Sequence, residues 1–300
     1  MNRPRWRAIA IFLALAFAWS WTGFLVPLAF GEPGSAPRQI AMAVGWTSAM
    51  WGPGLAAIVV TLAVLREPFG SLGLGRFGPW RYYLVAWLIP PLLAVAAGIV
   101  SWAAGLGTFD PTLSALRPAL ARQGIEDPAL VWALVGLQVA IALTAAPVFN
   151  VLFAIGEEIG WRGFLLPRLE PLGRWRAVVL SGAIWGFWHA PAIAQGHNYP
   201  GQPVLGIALM VGFCVLIGTF FSWLYFSTGS TWAPALAHGS LNATAGLPLL
   251  FLTGVNLVLG GTPTSLAGWA PLAGIAIWIA LTGRMKTNPP TGQSADTTAQ

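Results

Sequence analysis

Few residues in this chain have the chemistry to break a covalent bond, and they are grouped. Glu157, Glu158 and Arg162 lie in FAIGEEIGWRGF, His189 closes GAIWGFWH, and His238 and Asn242 lie in PALAHGSLNAT. The whole sequence has 9 acidic residues and 3 histidines in 300, so two adjacent carboxylates and two histidines within apolar runs form a concentration. Ionisable groups in hydrocarbon are costly and by default mark a functional site. Peptide hydrolysis needs a base to activate water, a group to position that water, and donors for the oxyanion. A carboxylate beside a second carboxylate in a low dielectric is suited to proton exchange near neutral pH. Glu157 is the candidate base, His189 the candidate water-positioning group, and His238 and Asn242 the candidate oxyanion donors.

The helical period sorts these residues onto faces. Glu158 and Arg162 stand four apart and can pair, which leaves Glu157, about 100° round the helix, free for other work. Gly182, Gly186 and His189 fall on nearly one face, where a neighbouring helix backbone can approach. His238 and Asn242 share another face, between Ala235 and Ala245. Each pair also has an architectural reading: a helix staple for Glu158 and Arg162, and hydrogen bonds between helices for the histidines and the asparagine. Ser240, two residues from His238, faces another way and does not suggest a serine nucleophile. His197, in QGHNYPGQ, is expected to be solvated.

The segments that must position these residues are apolar from end to end. The sequence is 56% hydrophobic and 8% charged, with a mean hydropathy of +0.71, against roughly 25% charged residues in soluble domains. The expected fold is all-α, a polytopic transmembrane helical bundle of about eight spans around an intramembrane polar cavity. The spans fall near 8–30, 40–65, 82–106, 130–155, 176–195, 203–227, 231–253 and 267–283. One membrane domain over 1–286 and a disordered tail over 287–300 are expected. If all eight segments cross, arginines gather on one side, which places both termini in the cytoplasm of a multi-pass cell-membrane protein with the 107–129 loop outside. Residues after Glu158 then either lie along the cytoplasmic interface or dip into the membrane as a short amphipathic helix, and the cavity is expected to open to the cytoplasm. Trp80, Trp87 and Trp175 are expected as interfacial anchors. With Cys214 as the single cysteine, disulfides and cysteine metal clusters are excluded. The positive charge is mostly loop arginine, so the lipid bilayer is an expected partner and nucleic acid is not.

Taken together, these motifs resemble the CPBP family of intramembrane proteases, which includes the type II CAAX prenyl endopeptidases and bacterial relatives linked to bacteriocin processing and self-immunity. Glu157, Glu158 and Arg162 match its first motif. Trp185 and His189 match the second, in which Phe is the commoner aromatic, and His238 and Asn242 match the third. Leu72 to Leu74 add a short similarity, and the resemblance covers about residues 70–250. It implies an endopeptidase acting on a membrane-associated peptide or protein substrate, prenylated or bacteriocin-like, through a glutamate-activated water. It implies the same role for Glu157, with Glu158, Arg162 and Trp185 supporting the site. No cofactor is favoured. Zinc on Glu157, His189 and His238 is the alternative, with a fourth position open for water, although H-E-x-x-H is absent. A proton-coupled small-solute transporter and a non-catalytic scaffold or self-immunity protein on the same fold are the alternative functions.

Overall fold

The computed structural model describes residues 4–285. The expected disordered tail 287–300, with Arg3 and Lys286 of the charge pattern, lies outside the described residues. In chain order the helices are α1 (Trp6–Leu25), α2 (Ala36–Val59), α3 (Arg81–Ala103), α4 (Arg117–Ala121), α5 (Pro128–Leu143), α6 (Ala145–Glu158), α7 (Leu166–Leu169), α8 (Arg174–Trp188), α9 (Ala190–Ala194), α10 (Pro203–Thr228), α11 (Trp232–Thr244) and α12 (Leu266–Leu281). Two short strands, β1 (Thr108–Phe109) and β2 (Leu252–Thr253), pair antiparallel. The chain is an all-α membrane protein, and the large exposed side chains along its helices are apolar, as a lipid-facing surface requires.

Among the described residues, four stretches are long and apolar enough to cross a bilayer: Trp6–Ala29, Ala36–Val64, Arg81–Ala103 and Pro203–Thr228. A fifth is reached if Pro128–Leu143 and Ala145–Leu172, bent by 48°, count as one span. The expected count of eight is not met by this measure. The segments expected near 176–195, 231–253 and 267–283 form helices of 15, 13 and 16 residues, roughly 20–24 Å at 1.5 Å per residue against ~30 Å of hydrocarbon.

Proline explains two of the breaks. Pro147 has no N–H for the Leu143 carbonyl four residues back. The helix breaks at Thr144, and Trp87 Nε1 takes over that carbonyl at 2.8 Å. Trp87, expected as an anchor, is thus a partner at a helix joint. Pro191 likewise cannot donate to the Phe187 carbonyl, and α8 ends at His189. The Trp188 carbonyl, released there, accepts from Trp21 Nε1 of α1 at 3.1 Å.

Beyond Glu158 the chain takes the second of the two expected courses and dips into the bundle. It continues as a helix through a π-helical stretch, Ile159–Leu165, into α7 and on to Leu172, with residues 159–166 buried. Close approach at glycine makes this burial feasible. A Cβ on Gly160 would lie 2.4 Å from Pro53 Cβ, and one on Gly163 would lie 2.6 Å from the Leu72 carbonyl oxygen. Gly156 and Gly160 make a G-x-x-x-G pair against α2, with Met50 O 2.8 Å from a Cβ on Gly156.

The two ends of the bundle differ in charge. One end is tied together by Glu67, which pairs with Arg5 at 2.5 Å and Arg168 at 2.6 Å, and by Thr231 Oγ1 donating to the Leu72 carbonyl at 2.6 Å. Arg5, Arg7, Arg66, Arg76, Arg81, Arg168, Arg174, Arg176 and Arg284 lie at this end against Glu67 and Glu170. The opposite end gathers the connections 30–35, 104–127, 195–202 and 245–265. It is tied by Gln195 Nε2 to the Phe24 carbonyl at 3.0 Å, Tyr199 Oη to the Thr264 carbonyl at 2.7 Å, and the β1–β2 pair. Its charges are Arg38, Arg117 and Arg122 against Glu32, Asp110, Glu126 and Asp127.

Gly160→Ala should lower thermal stability in detergent by the ~1–3 kcal/mol of an overpacked core. Gly136→Ala, where a Cβ meets nothing within 4 Å, should leave it unchanged or raise it. Equal melting temperatures for the two variants would show that α2 and the π-helical stretch do not pack this closely.

Candidate active site

Glu157 and Glu158 end α6, and the two carboxylates leave it in different directions. Glu158 is fully buried and Glu157 is 2% exposed. Glu158 Oε1 accepts from Arg162 Nη1 at 2.8 Å, the pair expected from the i,i+4 spacing, and also from His238 Nδ1 at 2.9 Å. The second contact was not readable in the sequence, because it joins residues 80 apart. A carboxylate paired with arginine only accepts, so the His238 Nδ1 carries a proton.

Arg162 is held on the far side by aromatic rings. Its guanidinium carbon lies 4.3 Å from the Trp185 ring centroid and 5.1 Å from that of Phe221, which favours a cation in a desolvated place. Gly218 of α10 makes room for it, since a Cβ there would stand 3.2 Å from Arg162 Nη2.

Trp185 touches Glu157, Arg162, His189 and His238. Its indole Nε1 donates to Glu157 Oε2 at 2.8 Å, and its carbonyl accepts from His189 Nδ1 at 2.9 Å. Its ring packs edge-on against His238, with centroids 5.4 Å apart. A phenylalanine here would keep the packing and lose the hydrogen bond to Glu157. The close approach that sets Trp185 comes from the glycines anticipated on α8: a Cβ on Gly182 would meet Val215 Cα at 2.8 Å, and one on Gly186 would meet Val211 Cα at 2.4 Å. His189 sits at the joint between α8 and α9. With Nδ1–H spent on the Trp185 carbonyl, its Nε2 is an acceptor.

On α11, the Gly239 carbonyl accepts from Asn150 Nδ2 at 3.2 Å and Ser240 Oγ donates to the Trp87 carbonyl at 2.7 Å. Ser240 is therefore occupied structurally. Glu157, Trp185, His189, His238 and Asn242 all line one cavity of about 450 Å³. Glu158 and Arg162 lie behind its wall. The cavity does not open toward the arginine-rich end as expected. Its outer lining is His197, Asn198, Gly246 and Thr264, all in connections of the opposite end. His197, expected to be simply solvated, stands exposed at that rim with its ring against Trp46. Loop residues of this kind carry no periodic signal, so only the folded chain shows them at the site.

Among the described residues, no three His, Cys, Asp or Glu side chains are grouped to hold a metal ion. The zinc set of Glu157, His189 and His238 is not gathered into such a group, although the hydrogen bonds to Glu157 Oε2 and the two Nδ1 atoms leave Glu157 Oε1 and both Nε2 atoms facing the cavity.

Residues 137–244 match the family model described as Type II CAAX prenyl endopeptidase Rce1-like. That stretch holds all the motif residues, from Glu157 to Asn242. No curated protein matches the chain.

Arg162→Met should cost about 3–5 kcal/mol in thermal unfolding, because it leaves a buried carboxylate with one partner fewer. Adding Glu158→Gln should recover much of that loss, since the amide oxygen still accepts from His238 while the uncompensated charge is gone. A single variant as stable as the native protein would contradict a charged pair at this position.

Proposed function

We propose that this chain, carrying an Rce1-like endopeptidase stretch over residues 137–244, hydrolyses a peptide bond in a membrane-associated substrate with a glutamate-activated water. One observation carries this: Glu157, His189, His238 and Asn242, from three separate segments, meet around one cavity inside a membrane protein. The transporter and scaffold readings do not call for this convergence of a base with oxyanion donors.

In this mechanism Glu157 is the general base. Trp185 Nε1 fixes one carboxylate oxygen, and the other takes the proton of the water. The His189 Nε2 lone pair accepts a hydrogen bond from the same water and aligns it. Asn242 Nδ2 donates to the oxyanion. His238 donates from Nε2, which requires a doubly protonated ring, and the two carboxylates Glu157 and Glu158 together balance the two cations Arg162 and His238. Collapse of the tetrahedral intermediate returns the proton from Glu157 to the leaving amine. Glu158 and Arg162 act on substrate only through His238 and Trp185, as positioning residues. The mechanism uses no metal, and the arginine-rich end lies in the cytoplasm by the positive-inside rule.

Purified protein with a cleavable peptide tests these assignments. Glu157→Gln should keep the fold and lose the 10²–10⁴-fold contribution typical of a general base. A strong chelator should leave native activity intact. Full activity in Glu157→Gln would remove the base from the mechanism. Loss on chelation with recovery on added zinc would replace it with a metal.

A further inference from the structure

We infer that the cavity is entered from the extracytoplasmic side, so the peptide bond it takes lies in a membrane-anchored or secreted segment presented at the outer face. The tail of a cytosolic protein would meet the wrong end of the molecule. This inference rests on the protease function proposed above and adds the side from which substrate arrives.

Three observations carry it. First, orientation is set by charge. Nine arginines against two carboxylates mark one end, and three arginines against four carboxylates mark the other. Short arginine-rich connections stay in the cytoplasm. Second, the cavity reaches the arginine-poor end. From Glu157 and Asn242 it extends to His197, Asn198, Gly246 and Thr264, with His197 exposed at the rim. Third, the way to the arginine-rich end is closed. Arg162, Phe164, Leu165 and Leu72 are all buried between the site and that end. Thr231 Oγ1 is bonded to the Leu72 carbonyl, and Gly163 packs on the same oxygen. No lining residue of the cavity comes from an arginine-rich connection.

The chemistry at the rim also describes what enters. His197, Asn198, Gly246 and Thr264 bring no charge to the lining, and Phe24, Trp46 and Phe213 make much of the rest apolar. An extended, uncharged polypeptide with apolar side chains suits this path. A strongly acidic or basic one does not.

Accessibility measurements read the entry side without any turnover. In a Cys214→Ala background, single cysteines are placed at the rim (His197→Cys) and in the site (Asn242→Cys). Gln123→Cys serves as a control for the arginine-poor end and Gly75→Cys for the other. Membrane-impermeant 2-sulfonatoethyl methanethiosulfonate is then added to right-side-out or to inverted membrane vesicles. His197→Cys and Asn242→Cys should react in right-side-out vesicles together with Gln123→Cys and be protected in inverted ones, where Gly75→Cys reacts. Reaction of Asn242→Cys only in inverted vesicles would overturn the inference, as would reaction of Gln123→Cys only there. An inactive enzyme with this labelling pattern would count against the protease function alone, and Glu157→Gln would report that separately.

Discussion

A buried carboxylate is the constraint on which the rest of the structure turns. Glu158 has no exposure, and a lone anion in that place would be prohibitively costly. Arg162 and His238 answer it directly, and Trp185 and Phe221 answer Arg162 in turn. Satisfying one charge therefore fixes a helix turn, an imidazole, an indole and the α8–α10 contact at once. Glu157, one residue earlier, inherits a rigid frame in which its own carboxylate is free to face the cavity. Two adjacent glutamates thus divide the work by direction alone.

Helix ends do the rest of the positioning. Where a proline interrupts a helix, a side chain from another helix meets a carbonyl at the break: Trp87 on Leu143 near Pro147, Trp21 on Trp188 near Pro191, and Ser20 on Ala49 below Pro53. In a bilayer such groups have no water to turn to. The joints at Thr144 and His189 are therefore stiff, although they look like interruptions in the sequence. His189 stands at one of them with its ring tautomer set by the preceding turn.

Helical periodicity and rarity of charge single out Glu157, Glu158, Arg162, His189, His238 and Asn242 as polar signals in apolar runs, spacing alone pairs Glu158 with Arg162, and Trp185 enters only through the family resemblance. The partners between segments were not legible. Nothing local reveals that His238 reaches Glu158, that the Trp185 N–H is aimed at Glu157, or that His197 lines the cavity. The helix breaks within the expected spans were not legible either, because a run of apolar residues does not disclose where a proline will cut the helix. The charged stretch after Glu158 left an interfacial and an inserted course both open, because its charges were counted one by one. Inside the bundle, Glu158 and Arg162 compensate each other and the stretch is buried.

The Trp21–Trp188 hydrogen bond also sets a limit on modularity. Trp21 belongs to α1, far outside the stretch 137–244 that carries every motif residue, yet it secures the carbonyl next to His189. Trp87 of α3 does the same at the joint above Glu157, and Pro53 of α2 seats Gly160. The motif-bearing helices are a set of reagents whose alignment is supplied by their neighbours. A transplant of 137–244 into another membrane scaffold would carry the functional groups and leave the geometry behind, so the smallest portable unit includes the first three helices.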